Sequence, residues 1–587
     1  MSGSCSFSYS ISVEDFFPGH DPCKQRQSAL TLINFFNILK NDYLNSIQEV
    51  DLPHGRIKRI GFHDLNRDVD SQLNLYREEK IIDRIKAKDY TLWQSGPDEI
   101  TNRLGWLDIA KRMVSETDSI MRFRHQLLED GIKKVLVLGM GGSSLAPELF
   151  AKTFGNFRHG LELRILDSTD PEMVLQCHEW AEPGKTTFIV SSKSGSTAET
   201  LSLFKYFYTD LSGKRNPGRF FTAITDPGSP LQHIANDLKF RYLFLNDPNI
   251  GGRFSALSHF GLVPAALAGV DLTRMLRSAV NANWSLGLEL GTIMGIFALK
   301  GIDKMNFSLP ETLRPFGDWI EQLIAESTGK KGRGILPVIG EILIPECRYP
   351  KDQWIVQFVM KENTLDSVDN LNRIESPLVI ITLDDLYQLG EQFFIWELAT
   401  AVAGHTLHIN PFDQPNVESA KNAAKQMISA YKNQGSLPEP ETVSLRQNHV
   451  NAFLDQARPG DYLALQAYIP MTPKTLQLLC NIQSVLRKKT GLAVTVGFGP
   501  RFLHSTGQLH KGDRGNGLFI QLTCDAPHDA AIPDQPGDSK SAISFHVLKT
   551  AQAMGDYQAL KMENRRVIHF HMNGNINKAL RQFLELL

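Results

Sequence analysis

Cysteine is scarce and scattered. Six of 587 residues, Cys5, Cys23, Cys177, Cys347, Cys480 and Cys524, form no C-x-x-C pair. Such spacing argues against a disulfide framework and against a zinc site, and it fits a reducing cytosol. A dominant charge is missing as well. The net charge is −2, so neither nucleic acid nor an anionic membrane surface is an expected partner. Long hydrophobic runs are missing too. The most apolar stretches, such as "LGTIMGIFALKGI", fall short of the ~20 uninterrupted residues of a membrane span. The opening "MSGSCSFSYSISVEDFF" lacks the basic flank and apolar core of a signal peptide. The expectation is a cytoplasmic protein that works without a membrane. No short-period repeat and no low-complexity tract interrupts the chain.

What remains is an ordinary globular composition, 42% hydrophobic and 21% charged. At about 150 residues per domain, the length predicts roughly two to four units. Residues 1–84 stand apart as an N-terminal extension. In it, "QSALTLINFFNILKNDYLNSI" has helical spacing, and "LPHGRIKRIGFHDLNRDVDSQ" reads as polar and irregular. The extension is too short for an eightfold barrel, and no chemistry attaches to it.

From Lys134 the pattern becomes strand, loop, helix, repeated. The apolar runs are "VLVLGM" (135–140), "LELRIL" (161–166), "TTFIVSS" (186–192), "FFTAIT" (220–225) and "YLFLN" (242–246). Near-continuous apolar strands alternating with helices predict a parallel sheet covered on both faces. After a helical zone over about 255–330 a second series follows: "WIVQFV", "PLVIITL", "TLHIN" (406–410), "DYLALQAYI", "LAVTVGF" and "LFIQLT". The reading is α/β, with two three-layer α/β/α domains at 85–310 and 311–587. The polar stretch 433–443 is a connection inside the second.

The first strand runs into "GMGGSSLAPELF". Gly139, Gly141 and Gly142 permit a sharp turn and leave room for a ligand, and Ser143 and Ser144 stand where a helix begins. Free N–H groups and the positive helix end make this an anion site. A plain strand–helix turn reads equally well. So does a dinucleotide site, with Asp167 at the end of the second strand as the ribose acid.

The loop after the third strand separates these readings in part. "SSKSGSTAET" places Ser192, Lys193, Ser194, Ser196, Thr197 and Thr200 in nine residues. A dinucleotide site has no need of so many hydroxyls there. A phosphate monoester does, because its several acceptor oxygens suit short donors converging from two loops. Helix capping by Ser196 or Thr197, with Glu199 in the first turn, is the bland account and is compatible with phosphate binding.

These blocks, together with "GGRFSALSHFGLVPAAL", "AESTGKKGRG" and "INPFDQPNVESAK", resemble the sugar-isomerase (SIS) domain pair of the glucose-6-phosphate isomerase family. The resemblance covers about residues 85–587. It is strongest to the isomerase half of the bifunctional transaldolase/glucose-6-phosphate isomerase fusions, to which "AKDYTLW" and "NRLGWL" are also similar. It implies two SIS-type domains, a reversible aldose–ketose isomerisation of a sugar phosphate, no cofactor, no metal and a homodimer. It implies that Gly142, Ser143, Ser192, Ser194 and Thr197 hold the phosphate, with Lys193 and Thr200 close by. Gly252 and Arg253 would face the reacting carbons. Glu326 would be the base, Gln322 would touch the substrate, and Gln414 and Lys421 would line the sugar. His504, in "FLHSTGQLHKG", would assist ring opening, with His510 as the fallback. In many family members the His-bearing loop lies between the glutamate and lysine blocks and acts on the neighbouring subunit's site. Here it follows both blocks, an order the fusion-type isomerases share.

Residue spacing agrees where it speaks. Gln322 and Glu326 are four apart and share one helix face, and Glu326 precedes the small residues of a helix end. On spacing alone, Glu326 and Lys421 read equally as solvated surface charges. Two alternatives outside this enzyme class stay open: a non-catalytic sugar-phosphate-binding regulator, and a dinucleotide-dependent oxidoreductase.

Overall fold

The computed structural model describes residues 57–155, 160–341, 350–361 and 376–587. The helix expected within "QSALTLINFFNILKNDYLNSI" lies outside them. After β1 (Ile57–Ile60) come β2 (Lys134–Gly139), β3 (Glu162–Leu166), β4 (Thr186–Ser191), β5 (Phe221–Thr225) and β6 (Tyr242–Leu245). β2 to β6 form one wholly parallel sheet in the order β3-β2-β4-β5-β6. Alternate residues of β2 feed two different cores. Leu136 and Leu138 pack with Leu203, Phe204 and Phe207 of helix Ala198–Asp210, and Val135 and Val137 with Phe123, Leu127 and Leu149 on the opposite face. The expected three-layer arrangement follows from that alternation.

Strand order reverses between β2 and β4. The chain leaves β2 for β3 on one side and returns to β4 on the other. In open parallel sheets the crevice beyond the strand ends at such a reversal is where ligands bind. The two hydroxyl-rich loops are the ones that follow β2 and β4.

The second strand series does not form one unit. β7 (Lys304–Ser308), β8 (Leu336–Val338), β9 (Gln353–Met360) and β10 (Leu378–Leu383) make a sheet in the order β1-β10-β9-β7-β8, with β1 antiparallel to β10. β11 (Tyr462–Tyr468), β12 (Ala493–Phe498), β13 (Gly517–Cys524) and β16 (Arg566–Met572) make a separate parallel sheet, β12-β11-β13-β16. Between β13 and β16 lies a small antiparallel pair, β14 (Ala531–Ile532) and β15 (Ile543–Ser544). The outer edge of β10, where a continuous sheet would have to grow, is taken by β1.

Three expectations are thereby corrected. The described part of 1–84 is integral: β1 closes a sheet, helix Asp64–Glu78 packs on helix Trp284–Leu299, and Arg59 pairs with buried Glu289 at 2.6 Å. The zone 255–330 is not all helix. It contains β7, disguised by a lysine whose buried ammonium meets Asp303 at 2.6 Å and Asp352 at 2.8 Å. "TLHIN" is not a strand, because helix Leu389–Thr406 runs into it and His408 turns at φ 55°. Among the described residues no single helix is long and apolar enough to cross a membrane.

Candidate functional site

The loop after β2 is defined by what cannot fit beside it. A Cβ on Gly142 would stand 1.9 Å from the Gly252 carbonyl oxygen. One on Gly141, at φ +55°, would meet Gln322 Nε2 at 2.8 Å and the His504 carbonyl at 3.1 Å. Glycine is required here because three other segments touch this backbone. Ser143 is buried at the end of the turn, and Ser144 bonds back to the Gly141 carbonyl at 3.0 Å.

The loop after β4 folds on its own hydroxyls. Ser192 Oγ lies 3.0 Å from Thr197 Oγ1 and accepts from the Gly195 N–H at 3.1 Å. Ser194 Oγ accepts from the Ser196 N–H at 3.2 Å and its hydroxyl at 3.0 Å. Thr197 occupies the N-cap of helix Ala198–Asp210, yet its side chain makes no cap bond. Capping therefore does not account for these hydroxyls. The Thr200 hydroxyl is buried with no hydrogen-bond partner among the described residues. The Lys193 ammonium pairs with Asp226 and donates to the Pro248 carbonyl at 2.8 Å.

The charged half of the site gathers at the C-terminal end of helix Arg314–Thr328. Gln322 Nε2 donates to Glu326 Oε2 at 3.1 Å and to the His504 carbonyl at 2.8 Å. Glu326 is no surface acid, with its side chain 14% exposed and Arg253 Nη1 3.5 Å away. Arg253 is 3% exposed and fully engaged. It donates to Ser327 Oγ (2.7 Å), Gln414 Oε1 (2.8 Å), and the carbonyls of Pro411 (2.7 Å) and Asp413 (3.0 Å). Burial lowers its pKa, and the charges of Glu326 and Asp413 oppose that shift. A second buried cation, Lys330, reaches the same loop through the Asn410 carbonyl (2.6 Å) and Asp413 Oδ1 (2.7 Å). Burial and the neighbouring Arg253 push Lys330 down to about 7.

His504 ends the short turn Arg501–His504 after β12 and reaches the first sheet. Its Nε2 lies 3.0 Å from Glu199 Oε1, which also accepts from Gln552 Nε2 at 2.7 Å. Thr169 completes the chain by donating to Gln552 Oε1 at 2.7 Å. Burial pushes the Glu199 carboxyl up, but the charge and hydrogen bond of His504, with the charge of Lys421, outweigh it and leave it below its ordinary value. Lys421 is half-exposed on helix Val417–Gln434, 3.4 Å from Glu418. Ser194, Thr197, Glu199, Lys421 and His504 line one cleft of about 360 Å³. A larger cavity, about 560 Å³, lies behind the His504 turn and holds none of these groups.

Two fallback readings are corrected. His510 is a core histidine, 2% exposed and packed among Tyr462, Phe502 and Phe519, and burial lowers its pKa well below the ordinary value. Asp167 is not free for a ribose, because it is buried against Arg501 at 3.0 Å. Arg501 also pairs with Glu148 and, at 3.4 Å, with Asp318. Sequence reasoning missed Glu199, Lys330, Arg501 and Gln552. Glu199 carried a signal, an acid one turn into a helix whose N-cap serine and threonine hydroxyls were already claimed for a ligand.

Comparisons with known proteins point one way. A family model described as phosphoglucose isomerase matches residues 88–282. The chain is 28% identical over 378 residues to the glucose-6-phosphate isomerase of Mycoplasmopsis pulmonis, covering 54% of this chain and 88% of that protein. To the glucose-6-phosphate isomerase of Thermus thermophilus it is 27% identical over 385 residues, covering 56% and 90%. Among solved structures, a hypothetical protein of Thermus thermophilus shares the fold, with TM-score 0.53 and 24% identity over 62% of this chain and 97% of that one.

Proposed function

We infer that this chain is a glucose-6-phosphate isomerase, interconverting D-glucose 6-phosphate and D-fructose 6-phosphate, a reading supported by the phosphoglucose isomerase model matched over residues 88–282 and by the similarity to glucose-6-phosphate isomerases. The observation that carries the chemistry is the Glu326 carboxylate held 3.5 Å from the Arg253 guanidinium, beside the glycine loop that follows β2.

Ser143, Ser192, Ser194 and Thr197 would grip the phosphate, the end of the sugar that does not react. Binding energy spent there positions C1 and C2 without being spent on the ground state of the reacting atoms. His504 and Lys421, on the cleft wall, would move the proton between O5 and O1 that opens the ring. Glu199 keeps the His504 imidazole oriented through the 3.0 Å contact at Nε2. Glu326 then takes the proton from C2, leaving an enediolate; as the O2 proton passes to O1, Glu326 delivers its proton to C1. Arg253 meets the charge that develops on the enediolate oxygens. Because it is already buried and hydrogen-bonded, little reorganisation is needed when that charge appears. Gln322 orients Glu326 and fixes the His504 backbone in one gesture.

Three finer proposals accompany this reading. The His-bearing loop after the lysine block allies the chain with the isomerase half of the transaldolase fusions, and its assembly is a homodimer in the cytoplasm. A non-catalytic regulator would need the phosphate loops alone, not a buried acid–guanidinium pair with a histidine turn tied to the same helix.

The direct test is proton NMR of fructose 6-phosphate and the protein in D₂O. Deuterium at C2 of newly formed glucose 6-phosphate is the expected result. Product without solvent deuterium, under conditions of slow turnover, would mean that no exchangeable base such as Glu326 carries the proton. Failure to form glucose 6-phosphate at all would sink the isomerase reading.

A further inference from the structure

His504 belongs to a different sheet from every other member of the site. Glu199, Arg253 and Glu326 follow strands of the first two sheets, whereas His504 follows β12 of the third. What joins the third-sheet unit to the rest is a seam with three built features. First, Gln508 is wholly buried in it. Its Nε2 donates to the Gly329 carbonyl and to Asn416 Oδ1, both at 2.8 Å, and its Oε1 accepts from the Asn416 N–H at 2.8 Å. Gly329 lies just beyond Glu326, and Asn416 just beyond Gln414. One amide therefore ties the histidine segment to both flanks of the charged site.

Second, the backbones meet with no room for side chains. A Cβ on Gly512 would stand 2.2 Å from the Gly329 carbonyl oxygen, and one on Gly329 would stand 2.3 Å from Leu509 Cα. The Gly332 N–H donates to the Gly512 carbonyl at 3.0 Å. Third, the seam is closed on its other sides by apolar and ionic contacts. Ala325, Leu336 and Val338 share a core with Tyr462, Leu509 and Phe519. Arg501 reaches Glu148 and Asp167 of the first-sheet unit, and buried Lys549 pairs with buried Asp170 at 2.8 Å. A contact packed and hydrogen-bonded to this degree has the character of a domain interior.

Granting the isomerase chemistry above, we infer that the site is completed within one chain: the third-sheet unit delivers His504 to its own Glu326, Gln508 is the positioning residue that seats it, and turnover needs no second copy. This departs from the family expectation that the histidine serves a neighbouring subunit. The reason is the changed order of the chain, which gives the His-bearing loop a sheet of its own and a route back over its own Glu326.

The test is subunit complementation. Glu326→Gln and His504→Asn chains carrying different affinity tags are co-expressed, and any heterodimer is isolated through both tags. With histidine supplied in cis, neither heterodimers nor monomers exceed the sum of the two variants' residual rates. With histidine supplied in trans, each heterodimer contains one intact site in two and recovers about half of wild-type activity, which would overturn the inference. Wild-type enzyme runs in the same assay: an inactive wild type overturns the isomerase reading and the inference together, whereas recovery beside an active wild type overturns the inference alone. Gln508→Glu keeps the shape but loses both donors. It should lower kcat at least about tenfold and leave KM for the phosphorylated sugar nearly unchanged. A rise in KM with unchanged kcat would remove Gln508 from this role.

Discussion

At the ends of β2 and β4 the site is made of backbone and short hydroxyls, whereas around Glu326 it is made of buried charges. The first region holds Gly141, Gly142, Ser143, Ser192, Ser194 and Thr197, and its one lysine is tied to Asp226. The second holds Arg253, Glu326, Lys330, Glu199 and His504, drawn from well-separated segments. On the proposed reading, the difference follows from what each would meet. A phosphate arrives already charged and needs only converging donors. The reacting carbons are neutral in the ground state, and charge appears on their oxygens only during turnover. The protein must hold compensating charge in place beforehand, in surroundings dry enough for it to count.

Breaking the charged region should cost turnover, and breaking the neutral region should cost affinity. The largest effect is expected from Glu326→Gln, a loss of about 10²–10⁴ in kcat, the usual contribution of a general base. Its KM should move by less than about threefold, and steady-state kinetics checks both. Near-normal kcat would remove Glu326 from the role of base. Next is the pair Ser194→Ala with Thr197→Ala, which should raise KM for the phosphorylated sugar by roughly 10–100-fold at little cost in kcat, since each lost charge-assisted hydrogen bond is worth about 1.5–3 kcal/mol. An unchanged KM would return these hydroxyls to a structural role.

The smallest effect tests the bridge between the regions. Glu199→Gln should slow kcat about tenfold by loosening His504. It should also change the pH dependence of stability. The Glu199 pKa is lowered in the folded state. Its contribution is therefore complete above its unfolded pKa, ~4.3, and disappears as pH falls through the folded value. Thermal melts should show wild type more stable than Glu199→Gln at neutral pH and the gap closing in acid. A gap that stays constant with pH would mean that Glu199 does not ionise there.

The same contrast explains what could be read from the sequence. The neutral region is local: each loop lies directly after an apolar run, and all five strands of the first sheet were visible as such runs. The charged region is non-local. Glu326, Arg253, Gln414 and His504 were reached through family resemblance, while Glu199 and Gln508 acquire their roles only from partners far along the chain. The split of the second strand series was hidden for a similar reason. β1 sits in a polar stretch with no strand-like run, and nothing in "GRIKRIGF" announces that it will seal the edge of β10. β7 was obscured by two buried polar residues, Lys304, whose ammonium meets Asp303, and Asn306, whose Nδ2 donates to Gln353 Oε1.

The contact between Gly142 and the Gly252 carbonyl has one more effect. Two backbones pressed together possess no rotamers with which to adjust, so the span from the phosphate loops to Arg253 is a fixed ruler. On the proposed reading, a six-carbon sugar gripped at its phosphate would place C1 and C2 at the far mark. A sugar phosphate one carbon shorter would be held just as firmly by the same hydroxyls, yet end before it reached Glu326. Selection for chain length would then reside in a pair of residues that have no side chains at all.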